Sequence, residues 1–149
     1  MEWLVEKCVE MGLSSLQIAW TRHSQRKKIK IERLQKKALS AMKQSQQAFL
    51  PKFHTPKPLK TVLQQKLEGQ LWVAHCGKQR DRVNWLQKSQ PKGIHRVYIG
   101  PEGDFSEEEM ELFLSKGVQP IHLGSRRLRT ETAAVLCAAS LYHKSIANI

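Results

Sequence analysis

Ile99-Gly100-Pro101-Glu102-Gly103-Asp104-Phe105 and Leu123-Gly124-Ser125-Arg126-Arg127-Leu128-Arg129-Thr130-Glu131-Thr132-Ala133 decide how the rest of this chain reads. Each stretch follows a short apolar run and opens a segment of helical character. That order places two backbone-rich loops side by side at the carboxyl end of a parallel sheet, where α/β proteins bind small molecules. Gly100 and Gly103 permit close backbone approach or a positive φ, and Pro101 stiffens the turn. The loop therefore presents peptide N–H and C=O groups, suited to an adenine edge or a ribose. A phosphate cradle of the form GxxxxGK[ST] is absent and no GxGxxG follows a strand, which argues against a P-loop, a nicotinamide or flavin site and the doubly wound methyltransferase loop.

Outward from these loops the pattern continues. Leu71-Trp72-Val73-Ala74, Val97-Tyr98-Ile99 and Ile121-His122-Leu123 are apolar runs of the buried-strand type, and a helix is expected around Asp81 to Lys88. Ser106-Glu107-Glu108-Glu109 is a capping box that starts a helix closed by Gly117. Thr130 and Thr132 precede a closely packed C-terminal helix from Ala133 onward. Earlier in the chain, Leu4, Val5, Cys8, Val9 and Met11 recur at helical spacing before Gly12, and Leu16, Ile18 and Trp20 alternate as in a strand. Ile31, Leu34, Ala38, Ala41, Met42 and Ser45 mark one face of a long helix that Pro51 should end, and Pro51 to Pro58 reads as a connector. The expected fold is a single α/β domain with a largely parallel sheet.

The 149 residues suffice for one real core, and a hydrophobic fraction of 40% fits a soluble globular protein. No apolar run approaches the roughly 20 residues of a membrane helix, and the first residues lack the basic-then-apolar order of an export signal. Cys8, Cys76 and Cys137 show neither CxxC nor CxxH spacing, so no disulfide framework and no metal site is expected, and a cytoplasmic setting fits. The net charge of +12 is unevenly placed. Arg22, Arg26, Lys27, Lys28, Lys30, Arg33, Lys36 and Lys37 are opposed only by Glu32, a field suited either to a phosphate backbone or to a solvated helix face.

Taken together, Ile99 to Phe105, the acidic helix begun by Ser106, Leu123-Gly124 and Leu128 to Ala133 resemble the 16S ribosomal RNA uridine-N3 methyltransferase family of the SPOUT, or α/β-knot, superfamily. Glu6 to Gly12 is similar to that family's helix ending in E-[LMI]-G, and Ala41-Met42-Lys43-Gln44-Ser45 with Leu50-Pro51 is similar to its A-x-x-Q-[SC]…P segment. The resemblance implies a SPOUT-type knotted α/β fold with a C-terminal deep trefoil, S-adenosylmethionine as methyl donor, a homodimer, and 16S rRNA of the small ribosomal subunit as partner. It assigns the cofactor pocket to three loops carrying Ala74 and His75; Ile99, Gly100, Pro101, Glu102 and Gly103; and Leu123, Gly124, Leu128, Thr130, Thr132 and Ala133. Members are usually preceded by a small RNA-binding β-barrel and a first strand that do not occur in residues 1–149, so the stretch is expected to be the catalytic domain without them. Many members have a second glycine where this chain has Asp104, which either stiffens the loop or caps a helix. Where many have E-R-S, this chain has Arg22-His23-Ser24.

In the mechanism so implied, Arg129 either stabilises the developing negative charge on a uracil oxygen, grips an RNA phosphate, or merely pairs with Glu131 at a helix start. Glu131 orients Arg129, accepts a proton, or complements the helix dipole. Glu102 is read as an anchor rather than a base, and His75 as either a pocket wall or a structural histidine. Arg22, Arg26, Lys27, Lys28, Lys30 and Arg33 are the candidate RNA contacts. Two competing readings are a non-catalytic, basic RNA-binding or ribosome-associated module and a SPOUT methyltransferase acting on another RNA.

Overall fold

The computed structural model describes residues 1–24, 28–77, 81–90 and 92–147. In chain order its elements are α1 (Glu2–Glu10), β1 (Ser15–Trp20), α2 (Ile31–Gln44), β2 (Lys52–Pro58), α3 (Leu59–Leu63), β3 (Gln70–Ala74), β4 (Val83–Asn84), α4 (Trp85–Lys88), β5 (His95–Ile99), α5 (Glu107–Ser115), β6 (Gln119–His122) and α6 (Thr130–Ile146). β1 and β2 form a two-stranded parallel sheet, and the other four strands lie in the order β4-β6-β3-β5, every neighbouring pair parallel.

The apolar runs become strands because both faces of the larger sheet are covered. Val73 and Tyr98 point to one side, where Phe105, Met110 and Phe113 meet Leu59, Val62 and Leu63. Trp72 and Ile121 point to the other, against Trp85 and Cys137. Alternate residues of one short strand thus serve two cores, so the strands read as continuous hydrophobic stretches. A third cluster packs α1, β1 and α2 through Leu4, Val5, Cys8, Val9, Ile18, Leu34, Ala38 and Ala41.

Helix ends follow local chemistry. The Ser106 capping box forms in both directions: Ser106 Oγ accepts from the Glu109 N–H at 3.2 Å, and a Glu109 carboxylate oxygen accepts from the Ser106 N–H at 2.9 Å. Gly117, at φ +71, ends α5, its N–H donating to Leu114 O while the Val118 N–H donates to Phe113 O, a Schellman closure. Gly12 and Leu13 close α1 in the same way. Removing the cap by Ser106→Ala should cost about 1 kcal/mol and lower the melting temperature by about 2–4 °C, measurable by calorimetry.

Three expectations need correction. Pro51 does not end α2. Gln46 takes the left-handed conformation at φ 56, and the Gln46 and Gln47 N–H groups close the helix on Lys43 and Met42 carbonyls several residues earlier. The 51–58 segment is a strand rather than a connector. It tolerates prolines because β2 has a partner on one side only, because its ladder slips between the Gln17↔His54 and Ala19↔Lys57 pairs, and because Gln17 Nε2 donates to Thr55 O there at 2.9 Å. The helix expected over 81–88 is reduced to α4, since Val83 and Asn84 pair with Ile121 and His122 and Asn84 then caps the turn by accepting from the Leu86 N–H.

Among the described residues no helix is long and apolar enough to cross a membrane.

Candidate functional site

Because β3, β5 and β6 are parallel neighbours with Ala74 opposite both Ile99 and Ile121, the loops that follow them emerge together at one sheet edge. All thirteen residues expected in the pocket lie at the ends of β3 and β5, on these loops or at the start of α6. β5 and β6 flank β3, so the chain crosses over β3 on its way through α5, and this switch in direction opens the crevice where such sheets bind ligands.

Side chains tie the loops together. Thr130 Oγ1 donates to Gly100 O at 2.7 Å, and Arg127 donates to Glu102 O at 3.0 Å. Asp104 binds the loop after β3: one of its oxygens accepts the Cys76 N–H at 2.8 Å and lies 3.0 Å from His75 Nδ1. The other accepts its neighbour Phe105 N–H at 2.9 Å. Arg82 holds the same loop from below through His75 O at 2.6 Å. Sequence reasoning passed over Asp104 and Arg127 as site-building residues. For Asp104 the signal was present, as an acid standing where a glycine is common.

Of the two uses expected of these glycines, a positive φ is not the one found. Neither Gly100 nor Gly103 has a positive φ; Asp104 does, at φ 61. A Cβ on Gly100 would meet Asp104 and the Phe105 ring at 3.2 Å, and one on Gly103 would meet His23 Cβ at 2.9 Å. Their smallness serves packing, of Gly100 within the loop and of Gly103 against His23 of the Thr21–Ser24 turn. Asp104 does not cap α5, a task done by Ser106.

The open part of the site is the loop after β6. Gly124 stands at φ +118 with no atom within 4 Å of where a Cβ would sit. Among the described residues no acceptor is found for the backbone N–H groups of Ser125 to Arg129. Ala74, Ile99 and Leu123 pack on the Trp72 cluster and floor the region with partly buried apolar side chains. Apolar walls with a few backbone polar groups suit a small ligand with an apolar body and a polar edge.

Arg129 occupies the N-cap position of α6 and is exposed, and it does not pair with Glu131, whose carboxylate lies 3.4 Å from the Met1 amino group. Thr132 is exposed and Ala133 buried. Thr130 and Thr132 stand inside the helix rather than before it.

Of the basic candidates, Arg22 is bound to α5, its guanidinium to Glu108 at 3.0 Å and its N–H to Glu109 at 2.9 Å, and Arg33 pairs with Glu2. Lys28 and Lys30 are exposed. Arg26 and Lys27 fall outside the described residues. A cleft of about 460 Å³ beside the first loop is lined by Arg22, His23, Phe105, Ser106 and three glutamates of α5. It involves none of the expected pocket residues, and its acidic wall suits neither RNA nor an adenosyl group. Among the described residues no cluster of three or more His, Cys, Asp or Glu side chains could hold a metal ion.

Comparison with known proteins agrees with this geometry. The model of the RNA methyltransferase domain family matches residues 1–142. A probable rRNA-methyltransferase from Porphyromonas gingivalis superposes with a TM-score of 0.91 at 35% identity, over 100% of this chain and 63% of that one. A Legionella pneumophila methyltransferase solved with bound SAM gives 0.84 at 27% identity, over 96% of this chain and 60% of the other. Ribosomal RNA small subunit methyltransferase E of Rickettsia conorii is 28% identical over 138 residues, 92% of this chain and 57% of the relative, so the chain spans little more than half of that protein. With a match that runs through both site loops and nearly end to end, the chain belongs to the RNA methyltransferase domain family.

Proposed function

We propose that residues 1–149 form a catalytic domain that methylates N3 of a uridine in 16S rRNA, using S-adenosylmethionine. The observation that carries this reading is the cross-tied trio of loops at the ends of β3, β5 and β6, with unpaired backbone donors over an apolar floor. The donor supplies an electrophilic methyl group on a sulfonium. Ala74, Ile99 and Leu123 would hold the adenine, and the backbone of Gly100 to Gly103 and of Leu123 to Leu128 its polar edges. N3 of uracil carries an imide proton; its transfer to the Glu131 carboxylate or to water places negative charge on the flanking oxygens, and the N3 lone pair takes the methyl as the sulfonium leaves as a neutral thioether. Arg129, exposed at the head of α6 beside the Thr130–Gly100 bond, meets that charge with its guanidinium. Glu131 contributes charge at the same helix start.

The knotted form of the fold belongs to the same proposal. It is supported by β6 lying between β3 and β4, two strands that precede it in the chain. A homodimer is supported by Tyr142 and Ile146, large hydrophobic side chains left exposed on α6, and a cytoplasmic setting by the unpaired spacing of the cysteines.

Lys28 and Lys30, exposed and without acidic partners among the described residues, are the basic residues best placed to reach phosphate. Replacing both with alanine should reduce the slope of log affinity against log salt for an rRNA fragment by about 1.5 to 2. An unchanged slope would remove them from the interface. The function itself is tested by incubating the chain and S-adenosylmethionine with small ribosomal subunits lacking the modification, and in parallel with unmodified tRNA, and analysing digested nucleosides by mass spectrometry. N3-methyluridine is expected. Methylation of tRNA instead would reassign the substrate, and no methylation would favour a binding module.

A further inference from the structure

Asp104 holds a left-handed conformation, φ 61, that a residue with a Cβ enters less readily than glycine. What holds it there is a set of contacts to three separate segments. Its N–H donates to Pro101 O at 2.8 Å, closing the turn. Its carboxylate receives the Phe105 N–H at 2.9 Å and the Cys76 N–H at 2.8 Å, and stands 3.0 Å from His75 Nδ1. Its carbonyl oxygen lies 2.9 Å from His23 Nδ1, in the Thr21–Ser24 turn. The side chains of His75 and Asp104 are 12% and 18% exposed, so these contacts are only partly screened by water.

Space for the two imidazoles is made by glycines. A Cβ on Gly77 would come within 2.1 Å of His75 Nε2, and one on Gly103 within 2.9 Å of His23 Cβ. The acid, both histidines and both glycines therefore form one fitted unit that joins the loop after β3 to the loop after β5. Thr130 and Arg127 tie the third loop to the other side of the same turn.

We propose that Asp104 is a positioning residue for the methyl-donor site, its carboxylate latching the loop after β3 to the loop after β5 so that two walls of the site are fixed before ligand arrives. The proposal rests on the reading that these loops hold S-adenosylmethionine. A ligand entering a latched site does not have to order the Cys76 loop, and the ordering cost saved appears as affinity. The latch touches no reacting atom, so its loss acts on binding of the donor and leaves the methyl-transfer step nearly intact.

Asp104→Gly separates this role from simple folding, because glycine accepts the left-handed φ without strain while removing the carboxylate. Asp104→Asn is the companion variant: its single carbonyl oxygen can serve only one of the two N–H groups. Hydrogen exchange of the Cys76 amide, followed by NMR on the full chain without donor, is expected to accelerate at least tenfold in Asp104→Gly, where that amide loses its acceptor, and by no more than that in Asp104→Asn, whose one oxygen is shared between two N–H groups. The KM for S-adenosylmethionine is expected to rise about five- to tenfold with kcat changed less than twofold. Unchanged Cys76 exchange in Asp104→Gly would overturn the latch. Faster exchange with unchanged KM would overturn its role in positioning the donor. Absence of donor binding by the wild-type chain would instead overturn the functional reading, and the exchange rates would still decide whether the latch exists.

Discussion

Replacing Arg129 with alanine is expected to lower kcat for RNA methylation by about 10²- to 10³-fold, the range found when one preorganised charge-stabilising donor is lost. Affinity for S-adenosylmethionine should change little, because the pocket drawn from the three loops uses backbone and apolar groups rather than this side chain. The fold should be indifferent as well. Arg129 is exposed and forms no ion pair with Glu131, so its truncation removes no side-chain hydrogen bond or ion pair among the described residues, and surface changes of that kind stay within about 0.5 kcal/mol. Arg129→Lys separates charge from geometry, since lysine keeps the charge without the planar fork; partial recovery of kcat is expected. Single-turnover rates with saturating donor measure the effect. Full methyl transfer and full RNA affinity in the alanine variant would remove Arg129 from the mechanism.

Trp85→Ala is expected to cost about 3–5 kcal/mol, the range for deleting a large buried aromatic. Trp85 is 0% exposed. It stands edge-on to Trp72, with ring centroids 5.5 Å apart, and to His95, at 6.0 Å. Its indole N–H donates to Ser140 Oγ, joining α4 to α6. The loss would leave a cavity beneath β3 and β6, the strands whose ends carry two of the site loops, and would leave Ser140 Oγ, which donates to Cys137 O, without the N–H it accepts. Burial already holds His95 below the ordinary histidine range, and its Nδ1 accepts from Trp72 Nε1 at 3.2 Å, so this ring is neutral in the native core. With total stability of roughly 5–15 kcal/mol for a domain, the variant should unfold at markedly lower urea concentration, whereas Trp85→Phe should retain most of the midpoint. A shift equivalent to less than about 1 kcal/mol would show that the cluster is not packed as described.

How much could be read in advance depended on which residues carry their own conformational signal. α1 and α5 were legible to their last turns because Gly12 and Gly117 announce left-handed closures. α2 ends by the same closure, but Gln46 fills the left-handed position and nothing in its chemistry declares that, so the eye moves on to Pro51. β2 was hidden by Pro56 and Pro58, whose strand pairing is tolerable only because of where β1 lies and because Gln17 covers the slipped register. Short-range pattern cannot report a partner tens of residues away. The site shows the same division. That three loops gather at one sheet edge followed from parallel strands, whereas the bonds between loops did not, because Asp104 to Cys76 and Thr130 to Gly100 depend on tertiary placement. The basic segment has partners that lie far away in the chain. Charge counting cannot see that Arg22 is answered by Glu108 on α5 and Arg33 by Glu2 on α1.

Calorimetric titration of S-adenosylmethionine into the full chain, with the melting temperature followed in parallel, tests the central claim most directly. One binding event per chain is predicted, with a melting temperature that climbs as donor concentration rises above the dissociation constant. A titration without heat, together with an unmoved melting temperature at millimolar donor, would contradict the assignment of the three loops as a methyl-donor site.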